Sequence, residues 1–188
     1  MVNDCPVGSE PPGWGLRLSK VERFVVADGQ YFYVSCAFDS DGLTSPARDH
    51  LDSLKSGTWP NDDSPELPDE TQVKLHRRIY AICEALANDG EILPRDACKP
   101  LRDGVWEIVV GNSRITFYDT TGFGEWTAKH AEYYEDWRQK KIWLIPQDFD
   151  EHVRLGHVFE KVSQRTLEHD LEQAVRIRRE DVAHDKAA

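Results

Sequence analysis

Lys99–Thr120, KPLRDGVWEIVVGNSRITFYDT, is the stretch whose reading decides the fold. Val105–Val110 and Ile115–Tyr118 are rich in β-branched and aromatic residues, and Gly111-Asn112-Ser113 between them is a tight-turn signal. The stretch therefore predicts a β-hairpin. Lys99 and Arg102 stand at its approach, Arg114 opens the return strand, and Tyr118 lies further along it. Cations and a phenol raised on a rigid sheet suit the handling of a phosphate, although from the hairpin alone snorkelling charges on an ordinary hairpin are the better account of them.

Outward from the hairpin, 188 residues make one ordinary domain with room for a real core. A hydrophobic content of 39% and six tryptophans exclude wholesale disorder. Acids outnumber bases by 34 to 23, a formal charge of −11, which works against non-specific binding to nucleic acid or anionic lipid while leaving a local basic site open. No apolar run is long enough to span a bilayer, and MVNDCPVGSEPPG lacks a basic and then apolar leader, so no membrane partner and a cytoplasmic location are expected. Cys5, Cys36, Cys83 and Cys98 form no CxxC pair. His152 and His157 have no evident third ligand, so neither a metal nor another cofactor is expected.

Before the hairpin, Met1–Gly15 is a loose Pro- and Gly-rich arm. Val21–Ala27 and Gln30–Phe38 are strands joined through Asp28-Gly29. Leu43–Leu54 is a short helix with Ser45 as N-cap and Pro46 at the first helical position. Lys55–Asp69, with three prolines, is a loop. Glu70–Asn88 is the clearest helix, capped by Asp69 and ended at Gly90.

After the hairpin, Thr121–His152 is dense in aromatic and charged residues. Glu125–Lys140 is read as helical and Ile142–Ile145 as a short strand. Its aromatics suit either a flap on the core or a surface for a partner. Val153–Val162 is a further strand. Leu167–Ala183 is a closing helix with Thr166 as N-cap and an inner stripe of Leu171, Ala174, Val175, Arg178 and Val182. The order gives an α+β layout, helices on one antiparallel sheet.

SPARDHLDSL, KPLRDGVWEI, SRITFYDT and GHVFEKVSQRTLEHDLEQAVRIRRED together resemble the phage Gp49-like/HigB branch of the RelE/ParE toxin superfamily, whose patterns run "sPxxeFLxsL", "kxLxdGLWElR", "yRvlYf" and "hgFxKKTqKTPxxEIexAxxRxxdy". The resemblance covers most of Ser45–Thr120 and Val153–Asp181, with Thr121–His152 as an insertion. It implies a single RelE-like domain over 1–188: an antiparallel sheet with helices on one face, a loose arm at 1–15 and a frayed tail at 184–188. It implies the toxin of a toxin–antitoxin pair, a metal-independent mRNA endonuclease acting on the ribosome, with a cognate helix-turn-helix antitoxin as partner.

Carried over by position, Arg114 matches the arginine of "yRvlYf" and Tyr118 its aromatic end. Lys99 and Arg102 fall in the basic run, Lys161 is the first lysine of "KKT", and Gln164 and Arg165 follow it. His157 stands near the "hG" step as a proton donor or acceptor. On this reading Arg114, Lys161, Tyr118, His157 and Lys99 are catalytic, and Arg102, Arg165 and Gln164 bind RNA. Val109 and Val162 stand where the pattern has cations, and each missing charge would cost roughly 1–3 kcal/mol of transition-state stabilisation. Two alternatives share the fold: a non-catalytic binding module of a phage or defence system, and a ParE-like poison of gyrase.

Overall fold

The computed structural model describes residues 22–60, 68–160 and 166–187. In chain order its elements are β1 (Val25–Asp28), β2 (Tyr33–Cys36), α1 (Pro46–Ser56), α2 (Glu70–Asp89), β3 (Cys98–Pro100), β4 (Trp106–Val110), β5 (Ser113–Thr120), β6 (Glu132–Glu135), β7 (Lys141–Leu144), β8 (His152–Glu160) and α3 (Glu168–Ala187).

Local chemistry sets most of these boundaries. The Ser45 hydroxyl accepts the Arg48 N–H and the Asp69 carboxylate accepts that of Thr71, so both early helices start on side-chain caps. Each ends on a left-handed glycine, Gly57 and Gly90. β4 and β5 pair from Trp106↔Phe117 to Val110↔Ser113 around Gly111, whose φ of 60° the turn requires. Gly29 is needed for a different reason: a Cβ there would lie 2.4 Å from the Ala87 carbonyl carbon, where the β1–β2 turn presses on the end of α2.

Six strands form one sheet in the order β1-β2-β8-β5-β4-β3. β2 and β8 run parallel and the other pairs antiparallel, so the sheet is mixed rather than the expected antiparallel one. The long excursion between β2 and β8 carries two helices, the β3–β4–β5 strands and the β6–β7 hairpin, and such a crossover allows neighbouring strands to share a direction. The helices also divide between faces. α1 and α2 cover the side carrying Trp106, Ile108, Phe117 and Leu155, whereas α3 covers the side carrying Tyr118.

Three further expectations are corrected. Residues 184–187, expected to fray, belong to α3, where Asp185 is buried against Arg23. Glu125–Lys140 is not helical: it leads into the β6–β7 hairpin, whose turn is tied by Asp136 accepting the N–H groups of Arg138 and Lys140. The segment has adjacent aromatics but no apolar stripe at helical spacing, so a helix there would bury nothing. α3 begins one residue later than expected, Leu167 rather than Thr166 accepting its first N–H, from Leu171. Its buried residues are Ala174, Ile177, Arg178, Asp181 and Asp185, so the inner stripe is largely ionic. Among the described residues no helix is long and apolar enough to cross a membrane.

Candidate functional site

Residues directly opposite on paired strands share a face. Lys99 of β3 lies opposite Glu107 of β4, and Glu107 opposite Thr116 of β5, so the three make one row across the sheet. Arg114 lies opposite Val109 in the next row, and Tyr118 is opposite Arg154 of β8 further along. This is the face that α3 covers. Thr116 donates to the His157 carbonyl at 3.1 Å, beside the bulge where β5 and β8 change register.

Glu107 is the centre of the row. Its side chain is fully buried, and neither carboxylate oxygen receives a hydrogen bond among the described residues. Charge compensates instead: Lys99 Nζ is 3.0 Å away and Arg114 Nε 3.8 Å away. A buried carboxylate without such partners would carry a large desolvation penalty, so Glu107 fixes both cations in place. Lys99 keeps 37% of its side chain exposed, whereas Arg114 keeps 12% and donates from Nη1 to the carbonyls of Gly111 and Ser113. Burial lowers the Arg114 pKa from its ordinary value, with Glu107 opposing.

His157 lies next to this row on β8. Its Nε2 is 3.2 Å from Asp170 of α3, and its ring stacks on Phe159. Burial holds the imidazole below its ordinary pKa, partly offset by Asp170, which leaves it neutral at pH 7. Arg102, in the turn before β4, reaches across to Glu168 at the start of α3 at 2.5 Å, with both side chains well exposed.

Tyr118 differs from its sequence reading. It is 1% exposed, and its hydroxyl donates to the buried Asp181 at 2.6 Å. Burial, and then the Asp181 charge, push its phenol well above the ordinary pKa. Instead of facing a substrate, Tyr118 belongs to a second cluster on the same face. There Arg23 donates to Asp181 and Asp185, Arg154 donates to Ser35, and the Phe38 N–H donates to Asp181.

The face thus has two ionic centres: one around Glu107 with Lys99, Arg114 and neighbouring His157, the other around Asp181 with Tyr118, Arg154 and Arg23. Lys161, Gln164 and Arg165 lie outside the described residues. Sequence reasoning passed over Glu107, Asp170 and Asp181. A signal existed for the first, since Glu107 is the sole charge in an otherwise apolar strand, WEIVV. No protein-family model matches the chain, and no curated protein matches it.

Proposed function

We propose that the chain is the toxin of a toxin–antitoxin pair, a RelE/HigB-like endonuclease that cuts mRNA on the ribosome and is restrained by a cognate helix-turn-helix antitoxin. One observation carries the reading: Lys99 of β3 and Arg114 of β5 flank the buried Glu107 carboxylate of β4, and His157, paired with Asp170, stands on β8, the strand beside β5, so residues from three of the quoted stretches gather on one sheet face. RNA cleavage of this kind uses the substrate's own 2′-hydroxyl to attack the adjacent phosphate. The protein must accept the 2′ proton, balance the charge that builds on the phosphorane, and protonate the leaving 5′ oxygen. Lys99, the more exposed cation, supplies charge to the phosphorane. Arg114 supplies a fork for the phosphate once its bonds to the hairpin carbonyls are exchanged. Neutral His157 moves a proton, and Glu107 positions the two cations.

Expression in a bacterial host without an antitoxin tests the reading. Wild type should arrest growth and cleave translated mRNA. Lys99→Ala should slow cleavage by about 10- to 100-fold, read well below a melting temperature that itself falls, because Glu107 then keeps only Arg114 beside it. A harmless wild type with intact mRNA refutes the nuclease.

A second reading, a non-catalytic binding module, is favoured by the β6–β7 hairpin, where Tyr133, Tyr134 and Trp137 are 46%, 41% and 84% exposed. Removing residues 132–144 separates the two. Cleavage that survives the deletion supports the nuclease, whereas loss of a bound partner without any cleavage activity supports the module.

A further inference from the structure

On the edge of the molecule away from the α3-covered face lies a cavity of about 790 Å³, between the C-terminus of α2, the β1–β2 turn and the β6–β7 hairpin. Its volume falls within the range of sites that hold ligands or anchoring side chains. The floor is apolar: Phe32, Ile92, Trp143 and Ile145 line it. The rim is acidic, formed by Asp89, Glu91, Glu132 and Asp148. Glu91 is offset by Arg95, which also lines the cavity, at 3.0 Å, whereas Asp89, Glu132 and Asp148 form no salt bridge among the described residues.

A second, independent feature has the same sign. The cavity opens at the C-terminal, negative pole of α2, whose last turn contains no basic residue and ends in Asp89, followed by Gly90 and Glu91. Nature ordinarily places cations at that pole. Here Asp89 stands beside the Glu91–Arg95 pair, and with Glu132 and Asp148 the carboxylates around the cavity outnumber its one arginine, so the charge above the apolar floor is net negative. Of the hairpin lysines, Lys140 is paired with Asp96, and Lys141 lies over the rings of Tyr133 and Trp143, 4.2 and 5.9 Å from their centroids, without a salt bridge to any rim carboxylate. The groove also continues into an exposed apolar surface at Leu144 and Tyr31, 42% and 53% exposed.

We infer that this groove docks a basic segment of a partner protein, with an apolar side chain seated on Trp143 and Ile145 and a flanking lysine or arginine against Asp89, Glu132 and Asp148. The apolar floor argues for a peptide rather than a bare cation, because a hydrated cation cannot cover the aliphatic surface of Ile92 and Ile145, which an apolar side chain buries. The inference does not rest on the nuclease reading, since none of the groove residues belongs to the Glu107 centre.

The test uses the full chain and a short fluorescein-labelled peptide of leucines and lysines, followed by anisotropy at low and moderate salt. A companion peptide carries glutamate in place of lysine. The lysine peptide should bind saturably and the glutamate peptide should not. The combined variant Asp89→Asn, Glu132→Gln, Asp148→Asn should weaken binding by about tenfold or more at unchanged melting temperature. A control variant of equal charge change on the helices, Asp49→Asn, Glu70→Gln, Glu172→Gln, should bind as wild type does. Absence of saturable binding overturns the proposal, as does an equal loss in the control variant, which would reduce the effect to the net charge of the chain. Spermine competing at the affinity of the peptide also overturns it, by assigning the groove to small cations.

Discussion

The two faces of the central sheet are built from the same strands and held by different forces. On β4 and β5 alternate residues turn to opposite sides. Trp106, Ile108, Ile115 and Phe117 meet α1 and α2 through Leu51, Leu54, Ile79 and Leu86, all nearly or completely buried. Glu107, Arg114 and Tyr118 meet α3, whose buried positions include Arg178, Asp181 and Asp185 beside Ala174 and Ile177. The first face is stabilised by transfer of apolar area from water, at about 25 cal/mol per Å² and with little demand on direction. The second depends on paired charges whose geometry must be right, because each charge left alone carries its full desolvation penalty. One side is thus tolerant in detail and the other exacting.

The largest expected effects test that contrast. Asp181→Ala removes the buried acceptor of the Tyr118 hydroxyl and the Phe38 N–H and leaves Arg23 and Arg154 sharing Asp185 alone among the carboxylates, and should cost about 3–5 kcal/mol in denaturant unfolding. Leu51→Ala, on the other face, should cost a similar 2–5 kcal/mol through transfer and cavity terms. What separates them is where the structure opens. Hydrogen exchange in the Asp181 variant should accelerate first in α3 while α1 and α2 stay protected, whereas the Leu51 variant should lose α1 and α2 protection. Uniform exchange in both would mean that the faces are not separate cooperative units.

Two buried titratable groups give the next largest effect, with opposite signs. His50 on α1 is 1% exposed, beside Ser113 and Trp59, and burial pushes its pKa down to about 4. The unfolded chain therefore binds more protons than the folded one between about 4 and 6.5, so acidification over that window removes about 3 kcal/mol of stability. Asp119, also 1% exposed, is pushed up to about 6 by burial, against the Asp150 N–H and Lys129, which favour its charged form. Here the folded state binds the extra proton, and raising the pH from about 4 to 6 removes about 3 kcal/mol. In wild type the two slopes nearly cancel. His50→Asn should leave a stability that falls with pH relative to wild type over this window, and Asp119→Asn one that rises. Parallel curves from urea midpoints at successive pH values would contradict both assignments.

The two faces also differ in how far the sequence disclosed them. The caps at Ser45 and Asp69, the stops at Gly57 and Gly90 and the Gly111 turn are set by neighbours in the chain, so α1, α2 and the β4–β5 hairpin were legible from residue order. Strand alternation likewise allowed Lys99, Arg114 and Tyr118 to be considered together. The parallel pairing of β2 with β8 leaves no local mark. Nor does the inner face of α3: Asp181 and Asp185 read as solvated acids because their partner Arg23 is 158 and 162 residues away along the chain. The same blindness turned Tyr118 into a candidate catalytic residue, since the carboxylate that claims its hydroxyl comes from that helix. Of the candidate site, the cations were legible and the carboxylate that organises them was not.

Smaller effects sharpen the distinction between buried and exposed charge. Tyr118→Phe removes one hydrogen bond to a charged acceptor and should cost about 1.5–3 kcal/mol, less than Asp181→Ala because Arg23 continues to hold the carboxylate. Smaller still is the outer pair, Asp39 and Arg176, 2.6 Å apart with side chains 23% and 38% exposed. The Arg176 hydrogen bond holds the Asp39 carboxyl at about 2, below its ordinary 3.8, so the pair stabilises the fold above that ordinary value and is lost as the pH falls towards 2. Screening at this exposure reduces the contribution to about 1 kcal/mol or less. Arg176→Ala should therefore shift the unfolding midpoint slightly at neutral pH, and the shift should shrink in high salt, where the Debye length falls to about 3 Å. The Asp181 variant should keep most of its deficit in the same salt, because water and ions do not reach that pair. A deficit at Asp181 that salt removes as readily as the one at Arg176 would place both pairs in the same solvent-exposed class, and α3 would then be held to the sheet by Ala174 and Ile177 rather than by its charges.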